Sequence, residues 1–328
     1  MYNKKNLGVI LIFSSIVLLV LFMALTTQRD RFGVTMDGAV KHDVESLFVG
    51  VHYFRLLDLV PNFELKSKSL VITNNNLFNF IDPRGVFLSK DSQTRYQANK
   101  GFLNQSTSNL ELFGDVRLAD EYSDYVSDTL KYDGKNEIIY ANGNVSSQVI
   151  DKKTLDIIKL SSHKLTSYMA EKRVELMGSV KGRLIRKRRY ETGFKFRAEE
   201  AEFNSPKSRL ELAKSVKIYR NNYYLKAEKA EIFLENYNKK LKYYVLYDDV
   251  KLEEKLQLTN GKLQTRRAYS EKLEGHQRSG KIVLTGAPRV EQGRDVIKGY
   301  QITLHENVEM VEVDDSQSSF NLKRNRND

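Results

Sequence analysis

The 328-residue sequence predicts an all-β protein, a stacked and partly open β-jelly-roll that forms a groove, preceded by one N-terminal transmembrane helix. Three observations predict it. One phrase recurs along the chain at intervals near 35 residues. Each copy alternates apolar and polar residues at period two, as a strand with one buried face does. Beyond residue 30 no long segment keeps the 3.6-residue period of a helix.

The membrane helix comes first. Leu7 to Leu25 is an uncharged apolar run of 19 residues, and the expected span is 7–26. At about 1.5 Å per residue such a helix crosses roughly the 30 Å hydrocarbon core. Ser14 and Ser15 can satisfy their hydroxyls on the helix backbone. Lys4 and Lys5 precede the run, and Arg29, Asp30 and Arg31 follow it. This charge pattern favours a cytoplasmic tail at 1–6. The competing reading is a cleaved signal peptide, but the run is long for one and Ala24-Leu25-Thr26 is a poor cleavage site. Residues 27–62 form a mixed juxtamembrane segment that could hold a short helix or strand.

The strand phrase begins at LELFGDVRL (110–118). It recurs as IYANGNVS (139–146), VELMGSVKG (174–182), LELAKSVKI (210–218), YVLYDDVKL (244–252), IVLTGAPRV (282–290) and ITLHENVEM (302–310). The Val site is 116, 145, 180, 216, 250 and 308, with Pro288 replacing it once. The residues six and four before it are always apolar or Tyr, while Glu111, Arg117, Glu175, Lys181, Glu211, Lys217 and Lys251 fill the other phase. Two before the Val stands Gly114, Gly143, Gly178 or Gly286, which marks a bulge or bend. Where Lys214, Asp248 or Glu306 replaces it, the expectation is that the glycine-like conformation is no longer required.

A second phrase lies between these strands: YQANKGFL (96–103), YVSDTLKY (125–132), IKLSSHKLTSY (158–168), FRAEEAEF (196–203), YLKAEKAEIFL (224–234) and VIKGYQITL (296–304). Its small-x-x-small step breaks strict alternation and predicts a bulge that turns the strand. Each repeat is then two bent strands, and stacked repeats share one apolar interior. An ordinary β-sandwich also has half-buried strands, but a fixed period with a shared phrase fits a stack better. KGRLIRKRR (181–189) holds six basic residues and no acid. It reads as a solvated loop between two halves, with a phosphate- or membrane-binding patch as the sharper alternative. Residues 314–328 read as a polar tail.

Composition narrows the chemistry. With 41% apolar and 29% charged residues the chain is neither disordered nor a polytopic membrane protein. It has no Cys, which removes disulfides, thiol nucleophiles and cysteine metal sites. His42, His52, His163, His276 and His305 are scattered without a metal-binding spacing. No catalytic residue, cofactor or metal site is expected. The adjacent acids Glu199/Glu200 and Asp248/Asp249 are expected to point to opposite faces of their strands, which would deny them a shared catalytic site.

Residues 282–310 hold Leu284-Thr285-Gly286-Ala287, then Ile297-Lys298-Gly299 through Ile302-Thr303, with Gly275-His276 upstream. This stretch resembles the C-terminal half of the LptA (OstA-like) family of lipopolysaccharide export proteins. FRAEEAEF and LKAEKAEIFL are similar to strand openings of that family. Residues 70–182, with FIDPRG (80–85) and the repeats at Gly143 and Gly178, look more like LptC. The resemblance implies an LptC-like β-jelly-roll at 63–182 continued into an LptA/OstA-like one at 183–313. A single lengthened LptC is the other reading.

That resemblance implies an inner-membrane, largely periplasmic bridge component that receives lipopolysaccharide from an ABC transporter. The chain lacks a P-loop, so energy would come from ATPase and permease partners. A lipid in water needs a shield, since each exposed methylene costs about 0.8 kcal/mol. The inward phase supplies one: Leu110, Leu112, Val116, Leu118, Ile139, Val145, Leu176 and Val180 in the first half. In the second half it is Leu210, Leu212, Val216, Ile218, Leu246, Val250, Leu252, Ile282, Leu284, Val290, Ile302 and Leu304. Core packing explains the same residues equally well. By resemblance, edge strands near 70–90 would meet the transporter. Edges near 296–313 would meet a further LptA-like or outer-membrane bridge subunit by strand pairing. The +11 net charge suits phosphorylated lipid, and nucleic acid is not an expected partner. The alternative is a membrane-anchored scaffold that uses the β-stack to bind proteins and carries no lipid.

Overall fold

The computed structural model describes residues 46–319 apart from 58–59, 74–76, 90–91, 105, 108, 134, 137, 152–153, 169, 189–191, 221, 236–240, 258–260 and 315–316. The expected membrane span lies outside the described residues, among which no helix is long and apolar enough to cross a membrane. All regular structure described is strand. The chain divides into two units, Met1–Leu176 and Met177–Asp328.

In the first unit the described part of the juxtamembrane segment forms β1 (Ser46–Leu57) and the start of β2 (Val60–Thr73). They pair antiparallel over nearly their whole length. The other edge of β2 takes β3 (Leu77–Ile81) and β4 (Arg84–Ser89). Next come β5 (Ser92–Gln97), on β4, and β6 (Lys100–Asn104), on β3. Both also pair with β7 (Asn109–Ala119). From there β7, β8 (Ser123–Asp133), β9 (Ile138–Ile150) and β10 (Ile157–Tyr168) run as an antiparallel meander. Its tight turns open on an Asx residue. Asn104 Oδ1 accepts from the Ser106 and Thr107 amides, and Asp133 Oδ1 from those of Lys135 and Asn136.

The division falls inside β11 (Arg173–Ile185). The basic run is therefore only partly a loop: residues 181–185 complete a strand, and Arg186–Arg188 follow it. The second unit continues through β12 (Phe194–Asn204), β13 (Arg209–Arg220), β14 (Tyr223–Leu234), β15 (Leu241–Gln257) and β16 (Leu263–His276), each antiparallel to the next. One further strand is split by Gly286, Ala287 and Pro288 into β17 (Lys281–Thr285) and β18 (Arg289–Gln292), both on β16. β19 (Asp295–Lys298) joins β18, and β20 (Gln301–His305) joins β17. β21 (Val311–Asp314) and β22 (Gln317–Ser319) close the order on β20 and β19. Part of the expected polar tail is therefore strand, since Gln317–Ser319 pairs with β19.

Six of the seven repeats bend at one place. The two residues before the Val site both have positive φ: Gly114/Asp115 (74° and 46°), Gly143/Asn144 (73° and 46°), Gly178/Ser179 (77° and 49°) and Gly286/Ala287 (76° and 51°). Lys214/Ser215 (64° and 55°) and Asp248/Asp249 (66° and 49°) do the same. The conformation is therefore not relaxed at Lys214 and Asp248, contrary to the sequence expectation. These L-residues accept a left-handed backbone at a cost of order 1–3 kcal/mol each. The last copy differs: β20 ends at His305, and Val308 is exposed rather than inward.

The partner strand bulges at the same level. Register breaks occur at Val126/Thr129, Ser162/Lys164, Arg197/Glu200 and Lys226/Lys229. Ala198 and Ala201 face inward, while Glu199 and Glu200 between them both face outward. Asp248 and Asp249 are both exposed at their own bulge. The expectation that these pairs point to opposite faces is therefore wrong, because a bulge suspends alternation.

Candidate functional site

The bulges set the interior. Two left-handed residues rotate the strand so that the next side chain turns in, and Val116, Val180 and Val216 have no exposed surface. The neighbouring strand holds the bend from outside. Ser179 N donates to Glu199 Oε2 at 3.2 Å, and Ser215 N donates to Glu228 Oε2 at 3.4 Å. Asn144 Nδ2 donates to Asp128 Oδ2 at 3.0 Å. At Gly143 a Cβ would collide with the Asp128 carboxyl, so glycine here serves close approach as well as φ. The central acid of the small-acid-x-small phrase is thus a cap for the adjacent bulge.

Apart from Val308, the inward residues expected from the repeat are buried, from Leu110 and Leu112 in the first unit to Ile302 and Leu304 in the second. In the second unit the ladder register aligns them into rows across the strands. One row runs Ala201, Leu212, Ala230, Leu246, Leu273, Leu284, Ile302, Val313. A second runs Phe196, Ile218, Leu225, Leu252, Ala268, Val290, Ile297. At about 4.8 Å between strands, a row of eight residues spans roughly 34 Å. The first unit carries a row of the same length, Phe48, Leu70, Phe80, Gly101, Leu112, Leu130, Ala141, Leu165. The row partners Leu130, Ala230 and Leu273 were missed by sequence reasoning, although the second phrase contains Leu130 and Ala230; Leu273 falls in no copy of it.

The interior is not wholly apolar. Glu254 and Arg266 face each other across β15 and β16 without exposed surface. Arg266 Nε donates to Glu254 Oε2 at 3.1 Å, and its Nη1 and Nη2 donate to the Val308 and His305 carbonyls. Glu254 Oε1 accepts from Asn307 N and Asn222 Nδ2. Beside this pair, Arg220 Nη1 donates to Tyr223 Oη at 2.7 Å and lies 3.4 Å from Glu306 Oε1. Burial pushes the phenols of Tyr223 and Tyr244 up and raises the Glu306 carboxyl above its ordinary range. These groups tie the β13–β14 and β20–β21 turns to β15 and β16. Alternation does place Glu254 inward, between Leu252 and Leu256, and that was the available signal.

Within 70–90, β3 and β4 have strands on both sides, as β19 and β20 do within 296–313, whereas β21, at the end of that second stretch, pairs with β20 alone among the described strands. Among the described residues no cluster of His, Asp and Glu is arranged to hold a metal ion.

Two family models match the chain. The model described as lipopolysaccharide-assembly, LptC-related, covers residues 15–186. The model of the LptA/(LptD N-terminal domain) LPS transport protein covers 195–310. No curated protein sequence matches. A solved structure similar over part of the chain is LptH of Pseudomonas aeruginosa, the LptA-homologous periplasmic component of the lipopolysaccharide transport device. It shares 12% identity, covers 39% of this chain and 95% of its own, and gives a TM-score of 0.36.

Bulged strands with a shared apolar interior and these two matches define a class, the periplasmic components of the lipopolysaccharide transport bridge, whose families are transport proteins rather than enzymes. The LptC-related match spans more than half of the sequence, and the chain belongs to the LptC-related lipopolysaccharide-assembly family, with an LptA-type module following.

Proposed function

We propose that residues 7–26 anchor the chain in the inner membrane and that its strands take lipopolysaccharide from an ATP-driven export transporter and pass it toward the outer membrane. The acyl chains would follow the transverse rows through Leu112 in the LptC-like module (63–182) and through Leu212, Leu246 and Leu284 in the LptA/OstA-like module (183–313). The observation that carries this reading is the unbroken apolar row across eight strands of the second unit. A packed core needs only enough apolar surface to hold two sheets together. A conduit needs that surface in register along its whole length. For docking, β1 and β21 suit strand addition better than β3 or β20. Among the described residues β1 pairs with β2 and β21 with β20, and Leu47 and Val49 of β1 are exposed.

One observation favours the scaffold reading. Ile282, Leu284, Ile302 and Leu304 have no exposed surface, so the second interior is closed as it stands. A lipid chain would have to part the rows to enter. Photo-crosslinking residues placed at Leu112, Leu212 and Leu284, with outward Glu111 and Glu211 as controls, separate the two in living cells. Lipopolysaccharide adducts at the inward sites alone support the conduit. No inward adduct on a folded, expressed protein leaves the scaffold.

A further inference from the structure

A groove of about 590 Å³ lies on the second unit outside the apolar interior. Its floor is an outward-facing row across four strands, Lys195, Tyr219, Tyr224 and Glu253. The Tyr219 and Tyr224 rings stand 5.0 Å apart, tilted by 38°. The wall is formed by Arg183–Arg186 and Arg188 of the basic run. Gly193 closes that wall, since its Cα packs so near the Leu184 carbonyl that a Cβ would collide.

The charge is one-sided. Glu253 is the groove's one carboxylate among its described lining residues, and it leans 3.8 Å from Arg267 Nε. Arg220 is engaged by Tyr223 and Glu306. Arg183, Lys195 and Lys255 are exposed and have no carboxylate partner among the described residues. Three unneutralised cations around a concave site raise the local concentration of anions. The tyrosine pair adds flat apolar faces, which bare phosphate does not need and a sugar ring does. The volume falls in the range of small-ligand pockets, about 300–1,000 Å³. A flat membrane surface would not fill such a concavity.

We propose that this groove binds a phosphorylated sugar, the head-group chemistry of a glycolipid, outside the apolar interior of the same unit. The choice of a glycolipid rests on the transport reading above, whereas the cation and tyrosine geometry does not. The phosphate sits among Arg183, Lys195 and Lys255, and the ring lies on Tyr219 and Tyr224. Phosphorylated saccharide and anionic phospholipid share the phosphate, so the test separates them.

The test is calorimetric titration of the full-length chain in detergent with lipopolysaccharide saccharide that has been fully deacylated but keeps its phosphates. Binding is expected, with a loss of about tenfold or more in an R183Q/K195Q/K255Q variant and in Y219A/Y224A. A charge-matched K207Q/K229Q/K242Q control should bind as the parent does, and dephosphorylated saccharide should not bind. Circular dichroism melts check that each variant is folded. Equal binding by the groove variant, or equal loss in the control, overturns the proposal. Loss of binding to phosphatidylglycerol vesicles without any effect on saccharide also overturns it, in favour of a membrane contact. Interior lipid adducts without saccharide binding remove the groove and leave the transport reading. Saccharide binding through the groove without interior adducts does the reverse.

Discussion

Glu254 and Arg266 stand opposite one another on neighbouring strands, and neither side chain has any exposed surface. A buried pair contributes little net stability over an apolar replacement, yet removing one partner strands the other charge. E254Q is expected to cost about 3–5 kcal/mol in urea unfolding. The double variant E254L/R266M should recover most of that loss. If the double variant proves as unstable as the single one, the carbonyls and amides around the pair matter more than its charge.

The neighbouring carboxyl gives a pH signature. Burial raises the Glu306 pKa, so the folded state holds its proton to higher pH than the unfolded state does. The Glu306 contribution is favourable in acid and is lost as pH rises through the raised folded value. The stability of E306Q relative to the parent should therefore increase between pH 4 and pH 7. Paired melts across that range check the sign, and a flat difference would mean the carboxyl titrates normally.

At Gly143 both the left-handed backbone and the Asp128 carboxyl oppose a side chain. G143A should destabilise by roughly 1–3 kcal/mol. At Lys214 the same backbone already carries a side chain, whose Nζ reaches Glu200 Oε1 at 2.5 Å. K214G trades backbone strain for a surface ion pair and should stay within about 1 kcal/mol of the parent. Denaturant midpoints of the two variants measure the contrast.

Ala230 sits between Leu212 and Leu246 in the long row. A230L should overpack that row at a cost of about 1–3 kcal/mol. On the transport reading it also narrows the path, so lipid adducts at Leu284 should fall while those at Leu112 persist. Unchanged adducts at Leu284 in a folded A230L protein would place the lipid elsewhere.

Much of this is legible in the sequence. Alternation at period two identifies the inward residues, because a half-buried strand leaves no other phase for Leu210, Leu212 and Leu246. The small-x-x-small step locates the bulges, since Ala198 and Ala201 can share the interior only if Glu199 and Glu200 leave the ladder together. What was not legible is relational. Lys214 and Asp248 keep a conformation their side chains disfavour because neighbouring strands impose it. The groove collects Arg183, Lys195 and Lys255 from three strands, and no local pattern announces that meeting. Asn307 and Val308 look like one more repeat, but their backbone serves the buried Glu254 and Arg266 instead.

The capped bulges also make length an adjustable quantity. The bends at Asn144, Ser179 and Ser215 are each held by a carboxylate one strand away, so such a hairpin brings its own corner. Inserting one would extend every transverse row by about 10 Å and leave the flanking corners intact. Such a chain behaves as a ruler graduated in hairpins, able to match a wider gap by copying a segment rather than redesigning a fold.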